Sequence, residues 1–186
     1  MPKDLPDRWQ GLASYSTIFW SDASPQDLDL DQAKALLTWI ENGGRLVIVL
    51  QESMDAWGLG NAGRSNYLDA SSTDKQLLPS KPPRRVDQVR IASLMQALSK
   101  SPLNRNPDAT MSIRVFDPEN IEAPWEAIAA LPGKPDDPSD FGQETTNGSS
   151  KARGDIYAIQ RGYGHGSVVL VGIDADSIQR RQLQAE

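Results

Sequence analysis

The sequence predicts an α/β fold with a mainly parallel central sheet and a C-terminal β-hairpin. Three observations carry that expectation. Residues 15–20 are rich in β-branched and aromatic side chains; residues 30–40 place apolar side chains at helical spacing; residues 46–50 are an unbroken apolar run. A strand, a helix and a buried strand in that order form a right-handed βαβ unit, whose two strands lie parallel.

The first strand, 15–20, runs into the turn formers Ser21, Asp22, Ala23, Ser24 and Pro25. Leu30, Ala33, Leu36, Leu37 and Ile40 then recur at the three- and four-residue spacings of one helical face. Asp29 or Asp31 can cap the first turn, where a carboxylate also complements the helix dipole. Asn42, Gly43 and Gly44 supply a C-terminal stop, because glycine enters the left-handed region without a Cβ clash. The run Leu46, Val47, Ile48, Val49, Leu50 has the composition of a strand covered on both faces.

Residues 51–85 show no sustained period, and a long excursion of this kind is a candidate lid or partner surface. Its last part, Lys81, Pro82, Pro83, Arg84 and Arg85, is the densest basic run and reads as an extended, solvated connector. A second helix is expected with Ile91, Leu94, Met95 and Leu98 on one face, stopped by residues 99–102. Residues 111–116 alternate as a strand does. Residues 124–131 are expected as a short helix with Pro124 in its first turn. Residues 132–153, rich in Pro, Gly and small polar side chains, read as a flexible surface insertion. The chain then offers a strand at 155–160, a glycine-rich turn at 161–166 and a strand at 167–173, with 168–171 as the buried arm of a hairpin. No internal repeat is evident.

A length of 186 residues fits one domain. With no cysteine, the chain has no disulfide, thiolate metal site or cysteine nucleophile. A net charge of −6 and a pI near 4.8 argue against a nucleic-acid partner, which needs a clustered basic surface. No apolar run is long enough to span a membrane. Residues 1–11 are polar and hold two prolines, unlike a secretory signal. Both ends look abrupt, so an excised part of a longer protein is the expectation.

Three pieces of the chain carry a family resemblance. They are residues 11–20, beginning Gly11-Leu12 and ending at Trp20; residues 36–47, which include Thr38-Trp39-Ile40-Glu41-Asn42-Gly43-Gly44-Arg45; and residues 163–169, Tyr163-Gly164-His165-Gly166-Ser167-Val168-Val169. Together they resemble the class I glutamine amidotransferase-like superfamily, in particular its bacterial, often membrane-associated branches. The resemblance implies a three-layer flavodoxin-like fold with a ligand crevice at the carboxyl ends of the strands. It also makes the soluble part of a membrane-associated protein one expectation for the segment. Enzymes of this superfamily use a cysteine on a sharp turn after a strand and a histidine followed two residues later by glutamate. Here the region after Leu50 reads Gln51-Glu52-Ser53-Met54, without cysteine or glycine-flanked elbow, and the sole histidine, His165, has Ser167 two positions on. The resemblance therefore carries the fold and not the amidotransferase chemistry.

Ser53 and His165 are the catalytic candidates, since a serine needs a positioned base to act as nucleophile. His165 lies between two glycines at the hairpin tip, a place that suits a surface turn residue. No carboxylate can be nominated to orient it. Asp22, Gln51, Glu52 and Asp174 fall just beyond expected strand ends and are the ligand-binding candidates; Asp22, Asp174 and Asp176 could alternatively serve a hard cation, although aspartates are also routine turn residues. No metal and no cofactor is assigned. The glycines at 162–166 join two strands rather than precede a helix, which sets them apart from a phosphate-binding loop. Asn147-Gly148-Ser149 matches a glycosylation pattern without a context that would use it. Of Trp9, Trp20, Trp39, Trp57 and Trp125, most serve packing, while Trp57 could anchor an interface. The expected function is a non-catalytic ligand- or protein-binding module of a larger protein, its partners being a protein, other domains of the same polypeptide or a small ligand. The alternatives are a hydrolase using Ser53 or an aspartate-bound metal, and a structural spacer.

Overall fold

Helix α1 (Leu30–Glu41) begins at Asp29 because a capping box closes there. In the computed structural model, which describes residues 4–21, 24–50, 78–79, 81–90, 110–131 and 155–173, the Asp29 carboxylate accepts from the backbone N–H groups of Asp31 and Gln32. The Asp29 N–H donates to the Gln32 side chain at 3.1 Å, so two otherwise orphaned donors are satisfied reciprocally. Gln32 also donates through Nε2 to the Leu5 carbonyl at 2.8 Å, tying the N-terminal segment to the helix. Ala33, Ala35, Leu36, Trp39 and Ile40 are buried. Leu30, expected on the same face, is 48% exposed. Helical side chains tilt toward the N-terminus, so in the first turn Leu30 reaches beyond the surface its own helix covers.

The helix stops with Gly43 N–H donating to Ile40 O at 2.9 Å and Gly44 N–H to Trp39 O at 3.0 Å. This is a Schellman ending, and Gly43 at φ 114° holds the left-handed position it requires. The reversal feeds the chain straight into the sheet.

Strands β1 (Thr17–Trp20) and β2 (Arg45–Val49) flank α1 in sequence and pair in parallel, Thr17 opposite Arg45 and Trp20 opposite Ile48. The five-stranded sheet has the order β1-β2-β7-β6-β5, in which β7 (Gly166–Val171) is parallel to β2, and β6 (Ile156–Tyr163) and β5 (Glu126–Ala130) continue antiparallel. The chain is thus mixed α/β with a mainly parallel sheet. Trp20, Leu46, Ile48, Leu50, Ile159, Val168 and Leu170 form the main core with Ala33, Leu36 and Ile40 of α1.

A two-stranded ribbon, β3 (Arg84–Arg90) and β4 (Thr110–Val115), stands beside this sheet. Met111, Ile113 and Val115 turn inward and pack with Leu131, Tyr157 and Ile173 in a second core. Across from them Val86 opposes Ile113 and Val89 opposes Met111, although three positions separate the two valines. A strand of strict period two cannot place both on one face. The register shift between them resolves this: Gln88 takes φ 60°, a conformation that costs a side-chain-bearing residue on the order of 1 kcal/mol, and both valines stay against the core.

Three sequence expectations change. Residues 124–131 form no helix: 126–130 are the edge strand β5, paired with β6 through Glu126 opposite Gln160 and Ala127 opposite Ile159. A helix this short is marginal in water, and the open edge of β6 supplies a ladder of hydrogen bonds in its place. The basic run is also more than a connector, since Pro83 is buried and Arg84 and Arg85 open β3. Extended proline backbone suits strand entry. Finally, the strands of the C-terminal hairpin absorb Arg161, Gly162 and Tyr163, leaving the two-residue turn Gly164-His165. Of that pair only Gly164 has positive φ, at 62°, the pattern of a type II′ turn.

The expected helix around residues 91–98, the insertion at 132–153 and most of the 51–85 excursion with Trp57 lie outside the described residues. Among the described residues no helix is long and apolar enough to cross a membrane.

Candidate functional site

Parts of residues 11–20, 36–47 and 163–169 meet at the amino-terminal edge of the parallel strands. His165 N–H donates to the Glu41 carbonyl at 2.8 Å, and Ser167 N–H to the Gly44 carbonyl at 3.1 Å. Arg45 Nε reaches Ser167 Oγ at 3.4 Å. The hairpin tip is therefore docked on the end of α1, and its glycines are what permit the approach. A Cβ on Gly166 would stand 2.1 Å from the Ile40 carbonyl oxygen and 2.2 Å from that of Gly44. Trp39 lies over Gly44 and donates through Nε1 to the Tyr15 carbonyl at 3.1 Å, closing the junction toward β1.

His165 is exposed at this tip, as a surface turn residue. The β2–β7 register sets it level with Gly43. Leu50, from which the chain continues to Ser53, is roughly 20 Å further along the strand direction at about 3.3 Å per residue. Asp22, Gln51, Glu52, Ser53, Asp174 and Asp176 lie outside the described residues. Among the described residues no group of three or more His, Cys, Asp or Glu side chains is arranged to hold a metal ion.

At the carboxyl-terminal edge, Leu50 N–H donates to Val171 O at 2.9 Å, and the ribbon crosses the end of β7. Arg114 N–H donates to Gly172 O at 2.8 Å and Phe116 N–H to Ile156 O at 2.7 Å. Arg84 fastens the same crossing electrostatically, with Nε 2.8 Å from Asp117 Oδ1 and Nη2 hydrogen-bonded to Asp155 Oδ1. The Asp117 hydrogen bond, and then the Asp155 charge, raise the Arg84 pKa against a lowering by burial. All three side chains are more than a third exposed, so solvent and salt screen the network.

On the ribbon's outer face, Arg85 Nε meets Asp87 Oδ1 at 2.7 Å and Arg85 Nη2 meets Ser112 Oγ at 3.0 Å. Ser112 Oγ in turn donates to Asp87 Oδ1. The Ser112 hydroxyl first, then Arg85, holds the Asp87 carboxyl below the usual carboxylate range, with a smaller pull from Arg114. The folded-state pKa is depressed, so the stabilisation is complete above the unfolded carboxylate value of about 3.9 and is lost as pH falls through the lower folded value. A carboxyl-carbon NMR titration should show the Asp87 midpoint rising in Ser112→Ala and rising in Arg85→Gln. An unchanged midpoint in Ser112→Ala would remove the hydroxyl as the cause.

Arg161, expected in a turn, is a buried strand residue with its guanidinium 5.8 Å from the ring centroids of both Trp125 and Tyr163. Burial lowers its pKa, with Tyr163 acting in the opposite sense. The aromatic flanks make the placement tolerable for a cation. Sequence reading missed this group and the Arg85–Asp87–Ser112–Arg114 grid. The alternation of 110–115 marks Ser112 and Arg114 as outward-facing, but which residues they oppose is a matter of strand pairing.

The geometry defines an α/β domain with a mainly parallel sheet, one α-helix among the described residues and a docked antiparallel ribbon. No family model and no curated protein matches the sequence. Solved structures share the fold, two of them from Salmonella. A cytoplasmic protein from Salmonella typhimurium superposes with a TM-score of 0.50 at 10% identity, the match covering 93% of this chain and 66% of that one. A second cytoplasmic protein, from Salmonella typhimurium LT2, gives a TM-score of 0.50 at 14% identity, covering 98% of this chain and 71% of that one. The chain thus spans about two thirds of the length of the first of these proteins.

Proposed function

We propose that this chain is a non-catalytic, amidotransferase-like domain of three-layer flavodoxin-like build, serving as a ligand- or protein-binding module of a larger protein. The observation that carries the reading is the use made of the resembling residues. Gly43, Gly44, Gly164, Gly166 and the His165 backbone join a helix end to a hairpin, which gives the resembling residues a fold-forming role. The edge that holds the only histidine is the one remote from Leu50, where a nucleophile turn would follow β2.

A third layer over β2 and β7 finds support in burial on the face of the sheet turned away from α1. Val47, Ser167 and Val169 point to that face by strand alternation, and each is no more than 8% exposed.

The test is turnover. Glutamine hydrolysis and p-nitrophenyl ester hydrolysis by the chain should match buffer, and Ser53→Ala and His165→Ala should be indistinguishable from the parent. Turnover that disappears in Ser53→Ala would replace this reading with a serine hydrolase.

A further inference from the structure

The outer face of the ribbon carries Arg85, Asp87 and Arg90 on β3 and Thr110, Ser112 and Arg114 on β4. Arg85 and Arg114 are direct cross-strand partners. Side chains so placed have Cβ atoms about 5 Å apart, and like charges directly opposite one another are destabilising. Asp87 offsets part of the repulsion, but its Oδ1 is engaged by Arg85 and Ser112. Among the described residues no carboxylate lies within ion-pair distance of Arg114, so this face keeps an excess of positive charge in a chain whose net charge is −6.

The backbone holds the arrangement in place. The bulge at Gln88 leaves Asp87 outward beside Ser112 while Val86 and Val89 remain in the core. The Arg114 N–H bond to Gly172 O sets the arginine pair beside the carboxyl end of β7. In α/β sheets that is the edge at which ligands bind.

We infer that Arg114 and Arg85 form a docking site for an oxyanion, the phosphate or carboxylate group of a ligand or partner. Arg114 supplies the planar guanidinium fork that matches two oxygens of such a group, and Arg85 the second cation. Asp87 is the built-in competitor: it holds Arg85 in position and lowers the affinity for any incoming anion. The inference rests on the binding-module reading and names the chemistry of what is bound.

The experiment is an NMR titration of the arginine Nε–H resonances with sodium phosphate and, separately, sodium succinate, against sodium chloride at matched ionic strength. Saturable shifts of Arg114 and Arg85 beyond the chloride response are expected, and whichever anion produces them identifies the group recognised. Arg114→Gln should weaken the response about tenfold or more, as loss of a charge-assisted pair does. Asp87→Asn, which removes the competitor, should strengthen it. A response equal to that of chloride, or one unaltered by both substitutions, overturns the site. Loss of the site leaves the non-catalytic reading standing, and ester or glutamine turnover would overturn that reading without touching this one.

Discussion

Gly166→Ala should cost on the order of 4 kcal/mol of stability, a large share of the roughly 5–15 kcal/mol that holds a domain of this size together. Gly162→Ala, four positions earlier in the same hairpin, should change it by no more than about 0.5 kcal/mol. The contrast comes from what each new methyl group would meet. At Gly162 nothing lies within 4 Å, whereas at Gly166 the Cβ would stand 2.1 Å from Ile40 O, 2.2 Å from Gly44 O and 3.0 Å from Gly44 N. These are backbone atoms at the helix end and cannot swing aside as a side chain does. Relief requires the hairpin tip to withdraw, which breaks the His165 to Glu41 and Ser167 to Gly44 hydrogen bonds and strains the β2–β7 ladder. Overpacking of about 1–3 kcal/mol and two bonds at about 1 kcal/mol each give the expected size. Urea denaturation midpoints of the two variants check it. Equal midpoints would mean that the junction is loose.

Gly172→Ala should produce a loss of about 3 kcal/mol or more that is concentrated in the ribbon. Its Cβ would fall 1.8 Å from the Arg114 carbonyl oxygen, and the Gly172 N–H also donates to Tyr157 O at 2.7 Å. The glycine is therefore held from both sides at the point where the two sheets meet. Because Met111, Ile113 and Val115 form a core separate from that of α1, a shift here should uncouple the ribbon before it disturbs β2. Hydrogen exchange gives the readout: the Arg114 amide should lose protection while Leu46 and Ile48 keep theirs. Uniform loss across all three would show that the two cores unfold as one unit.

The βαβ unit was legible in the sequence because each of its signals is local. Helical spacing, a carboxylate before the first turn, Gly43 after the last and an apolar pentad all act within a few residues, so residues 29–50 read correctly as helix and strand. The hairpin at the C-terminus was equally legible, although the turn shrank to two residues once the β6–β7 ladder extended through Tyr163. Its glycines were visible as turn formers. Their fit against Ile40, Glu41 and Gly44 was not, since those contacts join parts of the chain more than 120 residues apart.

Residues 126–130 show the other side of the same rule. Glu-Ala-Ile-Ala-Ala favours a helix by intrinsic preference, and a vacant edge beside β6 made it a strand. The run from Lys81 to Arg85 reads as a connector because its partners, Asp117, Asp155 and the whole of β4, are distant in sequence. Local chemistry thus decided the helix, the strand that follows it and the absence of a cysteine nucleophile. Pairing across the sheets decided the rest: which glycines are indispensable, where the sole histidine stands, and that two arginines meet face to face on the ribbon. Such pairings depend on chain closure over long separations, which no local pattern of side chains encodes.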